Sequence, residues 1–104
     1  MKIDRAHAFT QDEALARLQA LTDYWKKKYG VDSRWNGATA TINGKVKAVS
    51  FKGTVKVEAQ RLLADIDAGF LAEKLGGKAY VEGKVNEYLD PKQTLEQLKA
   101  RIPA

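Results

Sequence analysis

The single histidine and the two serines are the side chains that could support nucleophilic catalysis. His7 would act as a general base only with a hydroxyl in hydrogen-bond reach, and Ser33 and Ser50 lie in no motif that places one there. One histidine cannot form a two-histidine metal site, and no carboxylate cluster near it supplies the remaining ligands. We therefore expect a structural histidine, no bound metal and no enzymatic activity. A lone acid acting on a bound substrate stays open as the alternative.

Asp65 and Asp67 could form a carboxylate pair for acid–base chemistry, because alternate residues of a strand share one face. A turn over residues 59–62 predicts the register Val57 opposite Ala64, Val55 opposite Ile66 and Lys56 opposite Asp65. In that register the apolar pairs face the interior and the charges face solvent. We interpret the two aspartates as part of the solvated outer face of a sheet.

Nucleotide and nucleic-acid binding lack a sequence signature. The glycines form neither a dinucleotide fingerprint nor a Walker sequence, so no cofactor is predicted. Residues 26–28 are lysines at the predicted end of a helix, where they complement the helix dipole. The net charge of +5 favours loose attraction to polyanions, and we expect no specific nucleic-acid partner. No RNP-like signature accompanies the aromatic residues Trp25, Trp35, Phe51, Tyr80 and Tyr88.

Length and composition indicate one globular domain. A chain of 104 residues encloses a single core, and 44% hydrophobic residues are typical of a folded protein. The absence of cysteine excludes disulfides and fits a reducing compartment. Charges within residues 1–9 do not suit a signal peptide, and no apolar run reaches the roughly 18 residues of a membrane span. We expect a cytoplasmic protein.

Local signals place a strand and then a helix in the first third of the chain. Residues 2–9 alternate with a period of two, which predicts a strand. Thr10 and Glu13 have the spacing of a capping box, and an apolar stripe at helical spacing continues to Tyr29. Gly30 then supplies a left-handed stop. The helix is predicted from Thr10 to Tyr29.

The middle of the chain predicts an antiparallel meander. Short segments are separated by Asn36–Gly37, Asn43–Gly44 and Lys52–Gly53, and Asn-Gly pairs favour tight hairpins. The five predicted strands cover residues 31–35, 38–42, 45–51, 54–59 and 62–68.

The last third returns to helical spacing, from Phe70 to Leu89. Gly76–Gly77 interrupts it and indicates a kink, a close contact or a break between two helices. Pro91 ends the element, and the tail beyond it forms a short amphipathic helix with Leu95, Leu98 and Ile102 on one side. We assign residues 1–90 to one α+β domain and residues 91–104 to this tail, whose docking surface stays open.

Several short motifs follow one another between Ile3 and Asp90. They are I-D-R-A-H-A-F around His7, D-E-A at the helix start, Y-G at Tyr29, W-N-G at Trp35, the strand pair after Gly53, and G-F-L through to Y-L-D. Their order resembles the polyhydroxyalkanoic acid system proteins, short bacterial proteins associated with polyhydroxyalkanoate granule gene regions. Gly76–Gly77 and the extension after Pro91 depart from that pattern. The resemblance implies a bacterial cytoplasmic protein linked to polyester storage granules, and it supplies no catalytic residues.

Together these elements predict an α+β fold of strand, helix, meander of about five strands and long C-terminal helix. By analogy, this arrangement resembles the helix-grip lipid-binding proteins, in which the sheet wraps the last helix. We expect an apolar surface or groove where the sheet meets that helix, formed by Trp35, Val55, Ile66, Phe70, Leu71 and Leu75.

The leading functional expectation is a non-enzymatic accessory protein on polyhydroxyalkanoate granules, which binds through exposed apolar area at Leu71, Leu75, Leu95 and Leu98. The alternative is a carrier for a small apolar or acyl ligand, which requires an internal cavity of about 300 Å³ or more. A weak polyanion-binding module with salt-sensitive affinity ranks third. A homodimer through the tail or an edge strand stays open.

Overall fold

Within residues 1–46, 49–68 and 76–103, the part of the chain that the computed structural model describes, five strands and three helices are present. The strands are β1 (Lys2–Ala6), β2 (Asp32–Asn36), β3 (Thr39–Val46), β4 (Val49–Val57) and β5 (Arg61–Asp67). The helices are α1 (Gln11–Tyr29), α2 (Gly77–Tyr88) and α3 (Leu95–Lys99).

The strands form one antiparallel sheet in the order β1-β5-β4-β3-β2. Side chains alternate between its two faces, as the pleat requires. Successive cross-strand partners on the inner face are Ile3, Ala64, Val55, Ala40 and Trp35. The outer face is polar at most described positions, and its one large apolar side chain there is the half-buried Leu63. The prediction of an α+β fold with an antiparallel meander is confirmed.

The meander has four strands, whereas the sequence predicted five. Asn43–Gly44 and Lys52–Gly53 lie inside β3 and β4, where Asn43 is the cross-strand partner of Lys52, so the turns predicted there were wrong. Packing explains the glycines instead. A Cβ on Gly44 would lie 3.2 Å from Val31 Cα, and one on Gly53 would lie 2.5 Å from the Asp65 carbonyl oxygen. The turn predicted at Asn36–Gly37 does join β2 to β3, and Gly37 has a φ of 62°.

The predicted register between the last two strands was wrong by two residues. Val57 lies opposite Leu62 and Val55 opposite Ala64, so Lys56 faces Leu63 rather than Asp65. A shift of two leaves every side chain on its original face, because the side-chain period of a strand is two. The interior and exterior assignments therefore survive the error in pairing.

Helix α1 follows β1 and packs across the inner face of the sheet. Thr10 Oγ1 accepts from the Glu13 amide at 3.2 Å, whereas the Glu13 carboxylate pairs with Arg17 instead of returning to Thr10. The helix ends at Gly30, whose φ is 75° and whose amide donates to the Lys26 carbonyl. The predicted bounds of this helix are confirmed, but only half of the predicted capping box forms.

Helix α2 runs antiparallel to α1. The ring centre of Tyr88 in α2 lies 6.5 Å from that of Tyr24 in α1. Tyr80, nearer the start of α2, lies beside Tyr29 at the C-terminal end of α1. The described helix starts directly after Gly76, which has a φ of 92°, and residues 70–75 of the predicted Phe70–Leu89 helix lie outside the described residues. Among the described residues, α1 is the helix that packs on β2 and β4, so the helix-grip arrangement with the C-terminal helix in that place is not confirmed.

The tail forms α3, which begins with a complete capping box between Thr94 and Gln97. Leu98 is fully buried and belongs to the same core cluster as Leu18 and Leu21 of α1. The tail therefore docks on its own chain.

Candidate functional site

The residues predicted to form an apolar groove occupy different environments. Val55 and Ile66 are 4% and 5% exposed and face the interior of the domain. Trp35 is half-buried in β2, and its indole N–H donates to Thr22 Oγ1 at 3.2 Å. The other predicted residues, Phe70, Leu71 and Leu75, lie outside the described residues. Of the tail leucines proposed for adsorption, Leu95 is half-buried and Leu98 is wholly enclosed.

Three of the incompletely buried aromatic residues lie at one end of the domain, which we call the aromatic end (Tyr29, Phe51 and Tyr80). Tyr29 ends α1 and lies beside Tyr80 in α2. Phe51 is the cross-strand partner of Gly44, and Gly44 packs against Val31, two residues after the end of α1. Phe51 therefore lies at the same end of the domain as Tyr29. Tyr80 is 42% exposed and is the one large apolar side chain classed as exposed among those the structure describes.

Two lysines converge on Tyr24 in the groove between α1 and α2. Lys28 Nζ donates to the Tyr24 hydroxyl at 2.9 Å, and Lys84 Nζ lies 4.6 Å from the centre of the Tyr24 ring. The hydrogen bond from Lys28 lowers the pKa of the Tyr24 hydroxyl, with the Lys84 charge adding to that effect and burial opposing it. Lys84 also pairs with Glu87 at 3.3 Å. Lys28 and Lys84 thus place positive charge next to the aromatic end.

The surroundings of both tyrosines of α2 favour the neutral phenol. Burial raises the pKa of the Tyr88 hydroxyl to about 12, and that hydroxyl has no hydrogen-bond partner in the described chain. Burial also raises the pKa of the Tyr80 hydroxyl, and the neighbouring Tyr29 raises it further although part of the ring is exposed. Neither phenol is placed to act as a base near neutral pH.

A cleft of about 300 Å³ separates β1 from α2. Residues 2–5 of β1 line one side, and Lys78, Glu82, Val85 and Asn86 line the other. Its walls are mostly charged, and none of Trp35, Val55 and Ile66 reaches it. The cleft is open to solvent and does not correspond to the internal apolar cavity that a carrier would need.

Comparison with known families decides the relationship of this chain. The family model described as polyhydroxyalkanoic acid system protein matches residues 1–92. The chain belongs to this family. No curated protein and no solved structure gives a match. The matched region contains all five strands, α1 and α2, and it stops before α3.

In this polyhydroxyalkanoic acid system protein, His7 serves the backbone. Its Nδ1 accepts from the Phe9 amide at 3.2 Å, which leaves Nε2 protonated to donate to the Glu58 carbonyl at 3.0 Å. Both ring nitrogens are therefore engaged where β1 passes into α1. The geometry supports the structural interpretation of this residue.

Arg17 is the residue whose importance the sequence did not indicate. It is 3% exposed, and its guanidinium donates to the carbonyls of Tyr88, Asp90 and Gln93. The guanidinium also lies 4.2 Å from the centre of the Phe9 ring. One cation thus fastens the end of α2 and the segment before α3 to α1.

Across residues 1–46, 49–68 and 76–103, no group of three histidine, cysteine or carboxylate side chains lies close enough to hold a metal ion. In the same ranges, none of the helices combines the length and apolar character needed to cross a membrane.

Proposed function

We propose that this polyhydroxyalkanoic acid system protein is a non-enzymatic accessory protein of bacterial polyhydroxyalkanoate storage granules, and that it contacts them through apolar surface at the aromatic end. Family membership over residues 1–92 is the observation that carries the proposal. A polyester surface is largely apolar, so a contact with it would gain free energy from burying apolar side chains. It would work in the cytoplasm, where such granules lie.

The distribution of polar and apolar groups favours the aromatic end over the rest of the surface. The outer face of the sheet carries charged and hydroxyl side chains, which would lose hydration on an apolar surface. The described residues stop at Ala68, one position after β5, and resume at Gly76, and the sequence between them contains Phe70, Leu71 and Leu75. Tyr80 adds an exposed aromatic ring directly after that segment.

Co-sedimentation with purified polyhydroxyalkanoate granules tests the proposal, with uncoated hydrophobic beads as the reference surface. Point substitutions serve better than removal of the tail, because Leu98 is a core residue. The test variants are F70S/L71S/L75S and Y80S. The matched control is L63S, which removes a half-buried apolar side chain from the outer face of the sheet.

We expect the unmodified protein to sediment with granules in preference to beads, and the triple variant to bind at least about tenfold more weakly, since each lost apolar side chain is worth of order 1 kcal/mol or more. L63S should bind like the unmodified protein. Adsorption should persist when salt is raised, whereas a polyanion-binding module would release. Equal binding to beads and granules would contradict a granule-specific role. Absence of binding to either would favour the carrier alternative.

A further inference from the structure

Strand β1 is an edge strand, and its hydrogen-bond pattern fixes which backbone groups face away from the sheet. The Ile66 amide donates to the Met1 carbonyl and the His7 amide donates to the Gln60 carbonyl. In an antiparallel ladder the bonded pairs alternate, so Ile3 and Arg5 also exchange hydrogen bonds with β5. The N–H and C=O groups of the residues between them therefore point to the free edge.

Two of these residues keep their edge groups available. The Ala6 carbonyl accepts from Arg5 Nη1 at 2.8 Å, which closes one end of the edge. The backbone groups of Lys2 and Asp4 have no hydrogen-bond partner within the described chain. These two N–H and two C=O groups along the free edge can form hydrogen bonds with another extended chain.

Helix α2 stands beside this edge without covering it, which leaves the cleft of about 300 Å³. Val85 from the helix and Ile3 from the strand provide its apolar lining. A groove between an edge strand and a helix suits an extended peptide, because the strand supplies main-chain hydrogen bonds and the helix contacts alternate side chains.

The charges of the cleft select the side chains of such a peptide. Asp4 is paired with Arg61 at 2.7 Å, and Glu82 is paired with Lys78 at 3.8 Å. Within the described residues, Arg5 donates to neutral acceptors alone, Asn86 Oδ1 at 2.6 Å and the Ala6 carbonyl. Lys2 pairs with no carboxylate among the described residues. The uncompensated charge is therefore positive and lies on β1.

We infer that the cleft between β1 and α2 binds an extended segment of a partner protein as a sixth strand, with an acidic side chain opposite Arg5 and an apolar side chain opposite Ile3. Because both positions lie on the inner face, the two side chains of the partner are separated by one residue. This interaction goes beyond the proposed granule contact and uses another part of the surface.

The probe is a phage library of random heptapeptides, selected on the immobilised full chain. The deciding pair of variants is D4P and D4A. Proline removes the Asp4 N–H from the free edge without removing a ladder hydrogen bond, because that N–H points away from β5. Alanine keeps the N–H and loses the same ion pair with Arg61.

We expect enriched peptides to contain an acidic and an apolar residue separated by one position. They should bind D4P at least about fivefold more weakly than D4A, the loss of one hydrogen bond. Amide hydrogen exchange on the parent chain with the best peptide should slow at Lys2 and Asp4, which keeps the test valid if D4P does not fold. Failure to enrich any peptide, equal binding to D4P and D4A, or protection confined to β2 would overturn the inference.

Discussion

Replacing Arg17 by methionine removes the cation that joins three parts of the fold while keeping a side chain of similar length. The guanidinium donates to three backbone carbonyls, at 3.2 Å to Tyr88, 3.2 Å to Asp90 and 2.6 Å to Gln93. Methionine fills much of the same volume but donates no hydrogen bond. The variant therefore isolates the polar contribution of position 17.

The expected loss follows from these contacts. A hydrogen bond from a charged donor contributes about 1.5–3 kcal/mol, but contributions from one group do not add fully. The variant also avoids the desolvation cost of burying a cation, which offsets part of the loss. In addition, Asp90 and Gln93 are half-buried, so their carbonyls can reach water. The side chain of the other partner, Glu13, is 41% exposed, so no buried charge is stranded. We expect the free energy of unfolding to fall by about 2–4 kcal/mol.

Urea denaturation followed by tryptophan fluorescence measures this change, and thermal melts should show a fall of at least about 10 °C. The matched control is R61M, because Arg61 forms an ion pair of 2.7 Å with Asp4 in which both side chains are about half exposed. That variant should cost no more than about 1 kcal/mol. An R17M variant within about 1 kcal/mol of the parent, or a cost equal to that of R61M, would refute the reasoning.

Three further predictions concern other features of the fold. Y88F should raise the free energy of unfolding by about 1 kcal/mol in urea melts at pH 8, because the buried hydroxyl has no partner among the described residues. Because burial raises the pKa of Tyr88 from 10.0 to about 12, the parent should lose stability as pH rises from 10.0 to about 12, and Y88F should lose less over that window. G53A should lower the free energy of unfolding by about 1–3 kcal/mol, since its Cβ would lie 2.5 Å from the Asp65 carbonyl oxygen. The control is G83A, because a Cβ on Gly83 meets nothing within 4 Å, and this variant should leave the melting temperature unchanged or higher. L98A should cost about 2–5 kcal/mol in urea melts, and a change below about 1 kcal/mol would show that α3 does not stabilise the core.

Features set by neighbouring residues were predictable from the sequence. Helix α1 depends on a cap at Thr10 and a left-handed stop at Gly30, and both act within one helical turn. The strand faces were also predictable, because alternation is a property of each segment alone. The sequence could not distinguish a glycine in a turn from one required by close packing, as at Gly44 and Gly53.

Contacts between distant segments were harder to predict. The register of β4 and β5 depends on the length of the turn, and two registers that differ by two residues bury the same faces. Arginine is usually exposed, so its residue type does not predict that Arg17 is buried. Its spacing from Ala14 and Leu21 puts it on the apolar stripe of α1, and this was the available signal. The position of α2 beside β1 depends on the whole topology, so no local sequence pattern predicts the cleft between them.

The residues that contact β1 and the segment after it are synthesised long after β1 itself. His7 bonds Glu58, 51 positions later, and Arg5 bonds Asn86, 81 positions later. Contacts in the meander join strands that are neighbours in sequence, so they close shorter loops and form earlier. During synthesis on the ribosome, β1 leaves the exit tunnel before the strands of the meander and can pair only after β5 has emerged. Of the five described strands, β1 is therefore synthesised first and enters the sheet last, and until then both of its edges are open to other nascent chains.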